Sequence, residues 1–137
     1  MTPEQHILLV EDDDVDVMTV RRTLKELGAP NPLDRARDGE RALARLSNPD
    51  NQRPGLILLD LNMPRMNGIE FLAALKADPL LRLIPVVVLT TSVEEGDRLA
   101  AFASSVAGYM VKPVDYPQFV KVMGLIRDYW LTSVNPP

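Results

Sequence analysis

The chain is 137 residues long, 46% hydrophobic and 25% charged, with a formal net charge of −4. That length and balance suit one globular domain with a real core. The absence of cysteine excludes disulfides, thiolate zinc sites and thiol nucleophiles. Neutralising a polyanion takes clustered cations, and no Lys/Arg-rich run is present, so no nucleic-acid partner is expected. The apolar runs fall far short of the roughly 20 residues that a bilayer demands. "MTPEQH" lacks the basic start and apolar stretch of a signal peptide, so no membrane association and a cytoplasmic location are expected.

In chain order, "HILLV" (His6 to Val10) predicts a first strand. After "EDDD", the apolar positions Val17, Val20, Leu24 and Leu27 predict a helix that stops at Gly28-Ala29-Pro30. "PLDRA" is a polar strand suited to a sheet edge, and "DGERALARL" opens a helix ending before Asn48-Pro49. "LILLD" has the continuous apolar character of a strand buried on both faces. After the loop "LNMPRMNG", Ile69, Leu72 and Leu75 mark a helix closing near Asp78-Pro79. "IPVVVLT" is the fourth strand. A helix over about 93–103 is expected to turn Leu99 and Phe102 inward, "AGYMV" is the fifth strand, and Asp115 to about Trp130 is the last helix. Five strands alternating with five helices imply a doubly wound parallel α/β sheet with helices on both faces. The ligand site of such a sheet lies at the carboxyl ends of its strands.

Those ends carry Glu11, Asp12, Asp13 and Asp14 after the first strand, Asp60 after the third, Thr90, Thr91 and Ser92 after the fourth, and Lys112-Pro113 after the fifth. Each has an ordinary structural reading. Asp60 can cap a turn, Asp13 or Asp14 can cap the first helix, Thr90 can simply end a strand, and Lys112 can be a surface cation. His6 reads as structural, and Met63 and Met66 as loop packing. Taken together, however, carboxylates brought within a few ångströms repel one another unless one is protonated or a cation sits among them. Magnesium, a hard ion that takes oxygen ligands and keeps room for a phosphate, fits Glu11, Asp12, Asp60 and one backbone carbonyl. Lys112 and Thr90 would then serve an anion beside the metal, and a phosphoryl group on Asp60 would satisfy them all.

The segments "ILLVEDDD", "LILLDLNMPRMNG", "IPVVVLTTS" and "GYMVKP", in this order and spacing, resemble the receiver domain of two-component response regulators over essentially the whole chain. The resemblance implies a flavodoxin-like sheet of order 2-1-3-4-5 and a single receiver domain over 1–137, with a core of about 5–130 and a short tail over 131–137. It implies Asp60 as an acceptor phosphorylated by a sensor histidine kinase with magnesium. Residue by residue, Glu11 and Asp12 match the acidic pair, Asn62 the residue lending a metal-binding carbonyl, Thr90 the switch hydroxyl, Tyr109 the switch aromatic and Lys112 the phosphoryl-binding lysine. The Lys112-Pro113 bond looks like the family's cis peptide.

Such a protein is expected to be a phospho-accepting signalling protein that assists its own phosphorylation and dephosphorylation, switching the surface of helix 4, strand 5 and helix 5. It is not expected to be an enzyme acting on other substrates. An aspartyl phosphatase would carry a second acid two residues after its nucleophile, where Asn62 stands here, and a receiver fold that binds without being phosphorylated would have no use for clustered carboxylates. Thr91, beside the switch residue, is larger than the small residue common in the family there, and is expected to slow phosphoaspartate hydrolysis. Only "LTSVNPP" follows the last helix, so a single-domain regulator without a DNA-binding output domain is expected. The ending "DYWLTSVNPP", together with "LTTS", resembles short regulators paired with bacterial phytochrome kinases. The last helix bears two apolar stripes, one at Phe119, Met123, Ile126 and Trp130, the other at Val122, Leu125 and Tyr129. If one faces the sheet, the other either packs under the tail or serves a partner, and a symmetric homodimer through this helix and the fifth strand is the favoured reading.

Overall fold

The computed structural model describes residues 1–131. Of the expected tail over 131–137, residues 132–137 lie outside the described residues. The elements, in chain order, are β1 (Ile7–Val10), α1 (Asp14–Glu26), β2 (Leu33–Ala36), α2 (Gly39–Ser47), β3 (Leu56–Leu59), α3 (Gly68–Ala77), β4 (Val86–Thr90), α4 (Glu95–Ala103), β5 (Gly108–Val111) and α5 (Tyr116–Tyr129). A short 3₁₀ turn, Leu81–Leu83, leads into β4. The sheet has the order β2-β1-β3-β4-β5 and every pairing is parallel, which is the flavodoxin-like topology expected from the resemblance.

The strands divide the core by their period of two. Leu8, Val10, Ile57, Leu59, Val86 and Val88 face α2 and α3, where Ala42, Phe71, Leu72 and Leu75 meet them. Ile7, Leu9, Leu56, Leu58, Val87 and Leu89 face α1 and α5, whose Val17, Val20, Leu24, Phe119, Met123 and Ile126 complete the second layer. A central strand buried on both faces therefore needs an unbroken apolar run, which is why β1, β3 and β4 are the plainest in the sequence. The edge strand β2 is only half-buried. Its Asp34 accepts from His6 Nδ1 at 2.6 Å and lies 3.1 Å from Arg45, so His6 has the structural role its sequence context indicates.

Cap chemistry sets where the helices begin. The Asp13 carboxylate accepts the N–H groups of Val15 and Asp16, and Asn67 and Glu70 form a reciprocal capping box at the start of α3. Met63 is buried among the α2–α3 layer and Met66 packs against it, as their loop context suggests.

Two expectations fail. On α4, Leu99 and Phe102 are exposed at 65% and 56%, and Ala101 is the residue buried. A short helix at the half-covered end of the sheet presents only a narrow stripe inward, and a methyl side chain fills it. The Lys112–Pro113 peptide is trans, since no cis bond occurs among the described residues. Proline makes cis accessible but still leaves trans favoured by about 0.5–1 kcal/mol.

Gly68 opens α3 directly against the end of β3. A Cβ there would lie 2.6 Å from Leu61 Cα and 2.7 Å from the Asp60 carbonyl oxygen, both backbone atoms that cannot step aside cheaply. Gly68→Ala is expected to lower stability by about 1–3 kcal/mol through this overpacking, measured by urea unfolding. An unchanged midpoint would mean that the β3–α3 loop yields freely.

Candidate phosphoacceptor and metal site

Consecutive strands run outward from β1 to β2, and the chain then returns to the other side of β1 to lay down β3. The crevice of such a sheet opens where the order reverses, between the carboxyl ends of these two strands. Val10 and Leu59 are register partners, so the residues following them, Glu11 and Asp60, emerge side by side. The ladder continues one step past the strands: Asp60 N–H donates to the Val10 carbonyl at 3.1 Å and Glu11 N–H to the Ala36 carbonyl at 3.0 Å. Lys112 N–H donates to the Thr90 carbonyl at 2.7 Å, which fixes the lysine's backbone beside the switch residue.

Glu11, Asp60 and Thr90 are buried, whereas Asp12 is half-exposed. One carboxylate oxygen from each of Glu11, Asp12 and Asp60 lies within 4.8 Å of the others. Three hard oxygen donors converging on so small a volume fit a divalent cation of the magnesium class. The Asp60 carboxylate is hydrogen-bonded through one oxygen and faces a cation with the other. Oδ1 accepts the Thr90 hydroxyl at 2.7 Å and the Asn62 N–H at 3.3 Å, and Oδ2 lies 3.7 Å from Lys112 Nζ. Asn62 itself is exposed in the loop, and here it meets Asp60 through its N–H.

Lys112 is the counter-charge of the cluster. Its ammonium donates to Glu11 and, at 3.0 Å, to Asp16 on α1. Burial pushes the Glu11 carboxyl up to about 7, with the Asp60 charge adding to the rise and Lys112 opposing it. For Lys112, burial favours losing the proton, but the bonds and charges of Glu11, Asp60 and Asp16 prevail and hold the ammonium above its ordinary value. Among the described residues no buried side-chain nitrogen or oxygen lacks a hydrogen-bond partner, so the crowded carboxylates are hydrogen-bonded even where their charge is not fully balanced.

Thr90 and Tyr109 are joined through one backbone segment. Ser92 N–H donates to the Thr90 hydroxyl oxygen at 3.3 Å, and the Ser92 carbonyl accepts the Tyr109 hydroxyl at 3.1 Å. The Ser92 hydroxyl donates to Asp97 of α4 at 2.6 Å, and the Tyr109 ring stacks on Phe102 with centroids 6.2 Å apart. Whatever Thr90 does is thereby connected to α4 and β5. Thr91 is exposed and lines a cleft beside Lys112.

Every site residue expected from the sequence thus reaches one strand-end cluster, with Asn62 and Tyr109 at its margins. The sequence reading gave no role to Ser92, to Arg35 or to Asp16. Arg35 reaches across from β2 to donate to the carbonyls of Glu11 at 2.8 Å and Asp12 at 2.9 Å and to the Asp14 carboxylate at 2.8 Å, bracing the acidic loop. A cation on an otherwise apolar-to-polar edge strand is its only trace in the sequence. Asp16 lies on the first turn of α1, three residues after its cap Asp13, and its local sequence gives no sign of a partner on β5.

The raised Glu11 value has a sign that can be tested. Between its ordinary value of 4.5 and its folded value of about 7, the folded chain holds a proton that the unfolded chain has released. Stability from this group is therefore full below 4.5 and falls as pH rises through that window. In urea titrations with chelator present, wild type is expected to lose up to about 3 kcal/mol more than Glu11→Gln between pH 4.5 and 7. Parallel pH profiles would show that Glu11 is not the group responsible.

Comparison with known proteins supports the same assignment. The family model described as "Response regulator receiver domain" matches residues 7–123. The response regulator Rcp1 of a Synechocystis strain is 40% identical over 139 residues, covering 98% of this chain and 95% of that protein. A probable methanogenesis regulatory protein, FilR2 of Methanothrix harundinacea, is 37% identical and covers 91% of this chain and 83% of its own length. Among solved structures, a phosphorylated cyanobacterial phytochrome response regulator, RcpA, superposes with a TM-score of 0.90 at 36% identity, covering 98% of this chain and 99% of that one. The Mn(2+)-bound form of Rcp1 superposes with a TM-score of 0.88 at 40% identity, covering 97% and 99%. With the family matched over most of its length and the fold reproduced by relatives above 30% identity, the chain belongs to the response regulator receiver-domain family.

Proposed function

We propose that this receiver accepts a phosphoryl group on Asp60 from the phosphohistidine of a sensor histidine kinase. Glu11, Asp12, Asp60 and the Asn62 carbonyl would hold a magnesium ion beside the acceptor. The observation that carries this reading is the setting of Asp60, a buried carboxylate at the end of β3 with Thr90 on one oxygen at 2.7 Å and Lys112 3.7 Å from the other. An Asp60 oxygen attacks phosphorus, the phosphorus–nitrogen bond to the imidazole breaks, and its electron pair returns to the ring. Because little covalent work is required of the protein, positioning and charge neutralisation carry most of the catalysis. Magnesium, when bound, neutralises charge on the phosphoryl oxygens.

The chain's own groups do the rest. The Lys112 ammonium, 3.7 Å from Asp60 Oδ2, would turn to a phosphoryl oxygen built outward from Asp60. The Thr90 hydroxyl can pass from the Asp60 carboxylate to the phosphoryl, carrying Ser92 and, through it, Tyr109 and α4. This biases one arrangement of the α4-β5-α5 surface over another. The protein is read as a signalling switch that assists its own phosphorylation and dephosphorylation. Intact-protein mass after incubation with acetyl phosphate and magnesium is expected to rise by one phosphoryl group, and not to do so with Asp60→Asn or with chelator. Thr91→Ala is expected to shorten the phosphoaspartate lifetime severalfold, because a smaller side chain opens the approach of water. No mass gain in wild type would sink the acceptor reading, and an unchanged lifetime would sink the role of Thr91.

Likeness to phytochrome response regulators supports a phytochrome-type kinase as the source of the phosphoryl group, acting in the cytoplasm. We further read the exposed apolar side chains Val111, Leu125 and Tyr129 as the contact of a symmetric homodimer through α5 and β5. The second stripe of α5 supports this reading, because Leu125 is 59% exposed while Phe119, Met123 and Ile126 of the first stripe are buried. Sedimentation of wild type at micromolar concentrations is expected to report a dimer, and Leu125→Glu a monomer. A wild-type monomer, phosphorylated or not, would contradict it.

A further inference from the structure

The lysine that would meet the phosphoryl group is drawn toward two sides. Lys112 Nζ donates to Asp16 at 3.0 Å, but lies 3.7 Å from Asp60, beyond hydrogen-bond reach. Its two hydrogen-bonded carboxylates are Glu11, within the acidic cluster, and Asp16, outside it on the first turn of α1. The direction of Asp16 is not accidental. The Asp13 cap holds the N–H groups of both Val15 and Asp16 at 2.8 and 3.1 Å, so the backbone of Asp16 is fixed and its carboxylate projects toward the end of β5. Lys112 is 9% exposed and Asp16 is 42% exposed as side chains. The contact therefore forms the inner wall of a cleft of about 400 Å³ between α1 and the β5–α5 connection, lined also by Thr91, Pro113, Tyr116 and Phe119.

We propose that Asp16 is a positioning residue that holds the Lys112 ammonium on the α1 side of the site, in competition with whatever anion occupies Asp60. This rests on the acceptor reading of Asp60 given above. An ammonium has three donors, and here Glu11 and Asp16 engage it from positions that leave its approach to Asp60 long. A phosphoryl group brings more negative charge to Asp60 than the bare carboxylate does, so it gains more when the ammonium is released toward it. Asp16 thus sets the threshold against which phosphorylation must work, and removing its charge favours the phosphoryl-bearing form. The neighbouring Asp14, whose carboxylate pairs with Arg35 at 2.8 Å and Arg37 at 3.4 Å, carries the same charge on the same turn without touching Lys112.

The test uses two readouts on the full chain: beryllofluoride affinity with magnesium, followed by ¹⁹F NMR, and the Lys112 ¹³Cε and ¹Hε signals in chelator. Asp16→Asn is expected to tighten beryllofluoride binding about threefold, the scale of a half-exposed ion pair, and to move the Lys112 signals. Asp16→Glu is expected to restore both toward wild type, and Asp14→Asn to leave the Lys112 signals in place. Unmoved Lys112 signals in Asp16→Asn, weaker binding in Asp16→Asn, or an equal shift of the Lys112 signals in Asp14→Asn would overturn the proposal. Failure of wild type itself to bind beryllofluoride would overturn the acceptor reading instead, while the Lys112 signals would still report whether Asp16 holds the lysine.

Discussion

The site depends on a charge balance at the carboxyl ends of β1, β3 and β5. Glu11 and Asp60 are both buried and emerge from register partners of β1 and β3, so the sheet itself forces two carboxylates together. Isolated buried carboxylates would cost several kcal/mol each. Lys112, delivered by β5 and bonded to Glu11 and Asp16, makes the arrangement tolerable, and the rise in the Glu11 value shows that compensation is incomplete. A cluster of hard oxygen donors with one cation among them is what a divalent cation can relieve. Stability and function are thus opposed at the same few atoms.

The rest of the molecule reads as support for that cluster. Two apolar layers clamp the sheet from opposite faces and make the strand ends rigid reference points. The Asp13 cap fixes the start of α1, Arg35 braces the carbonyls of the acidic loop, and the close approach of Gly68 fixes the loop after Asp60. Rigid supports matter because phosphoryl transfer rewards alignment more than covalent assistance.

The path outward is equally local. Asp60 bonds Thr90, Thr90 accepts from Ser92, and Ser92 is bonded to both Tyr109 and Asp97. A change of charge at Asp60 therefore bears first on the β4–α4 connection. The helix beyond it is covered by few side chains, with Leu99 and Phe102 outside. An element with so little buried apolar area is drawn from the low-stability end of the fold and can shift at modest cost.

By itself the sequence determined the alternation of elements, the buried strands and the strand-end residues, because a strand covered on both faces must be apolar throughout and must stop where a functional polar residue begins. Asp60, Glu11, Thr90 and Lys112 were legible for that reason, each standing directly after an apolar run. The inward face of α4 was not legible, since apolar spacing on a short helix does not say how much sheet remains to be covered. Nor were the roles of Arg35, Asp16 and Ser92, which act through partners on other elements: Arg35 lies 21 positions from Asp14, and Asp16 lies 96 positions from Lys112. Periodicity reports what a residue faces within its own element. Only the packed sheet decides which distant charge it meets there.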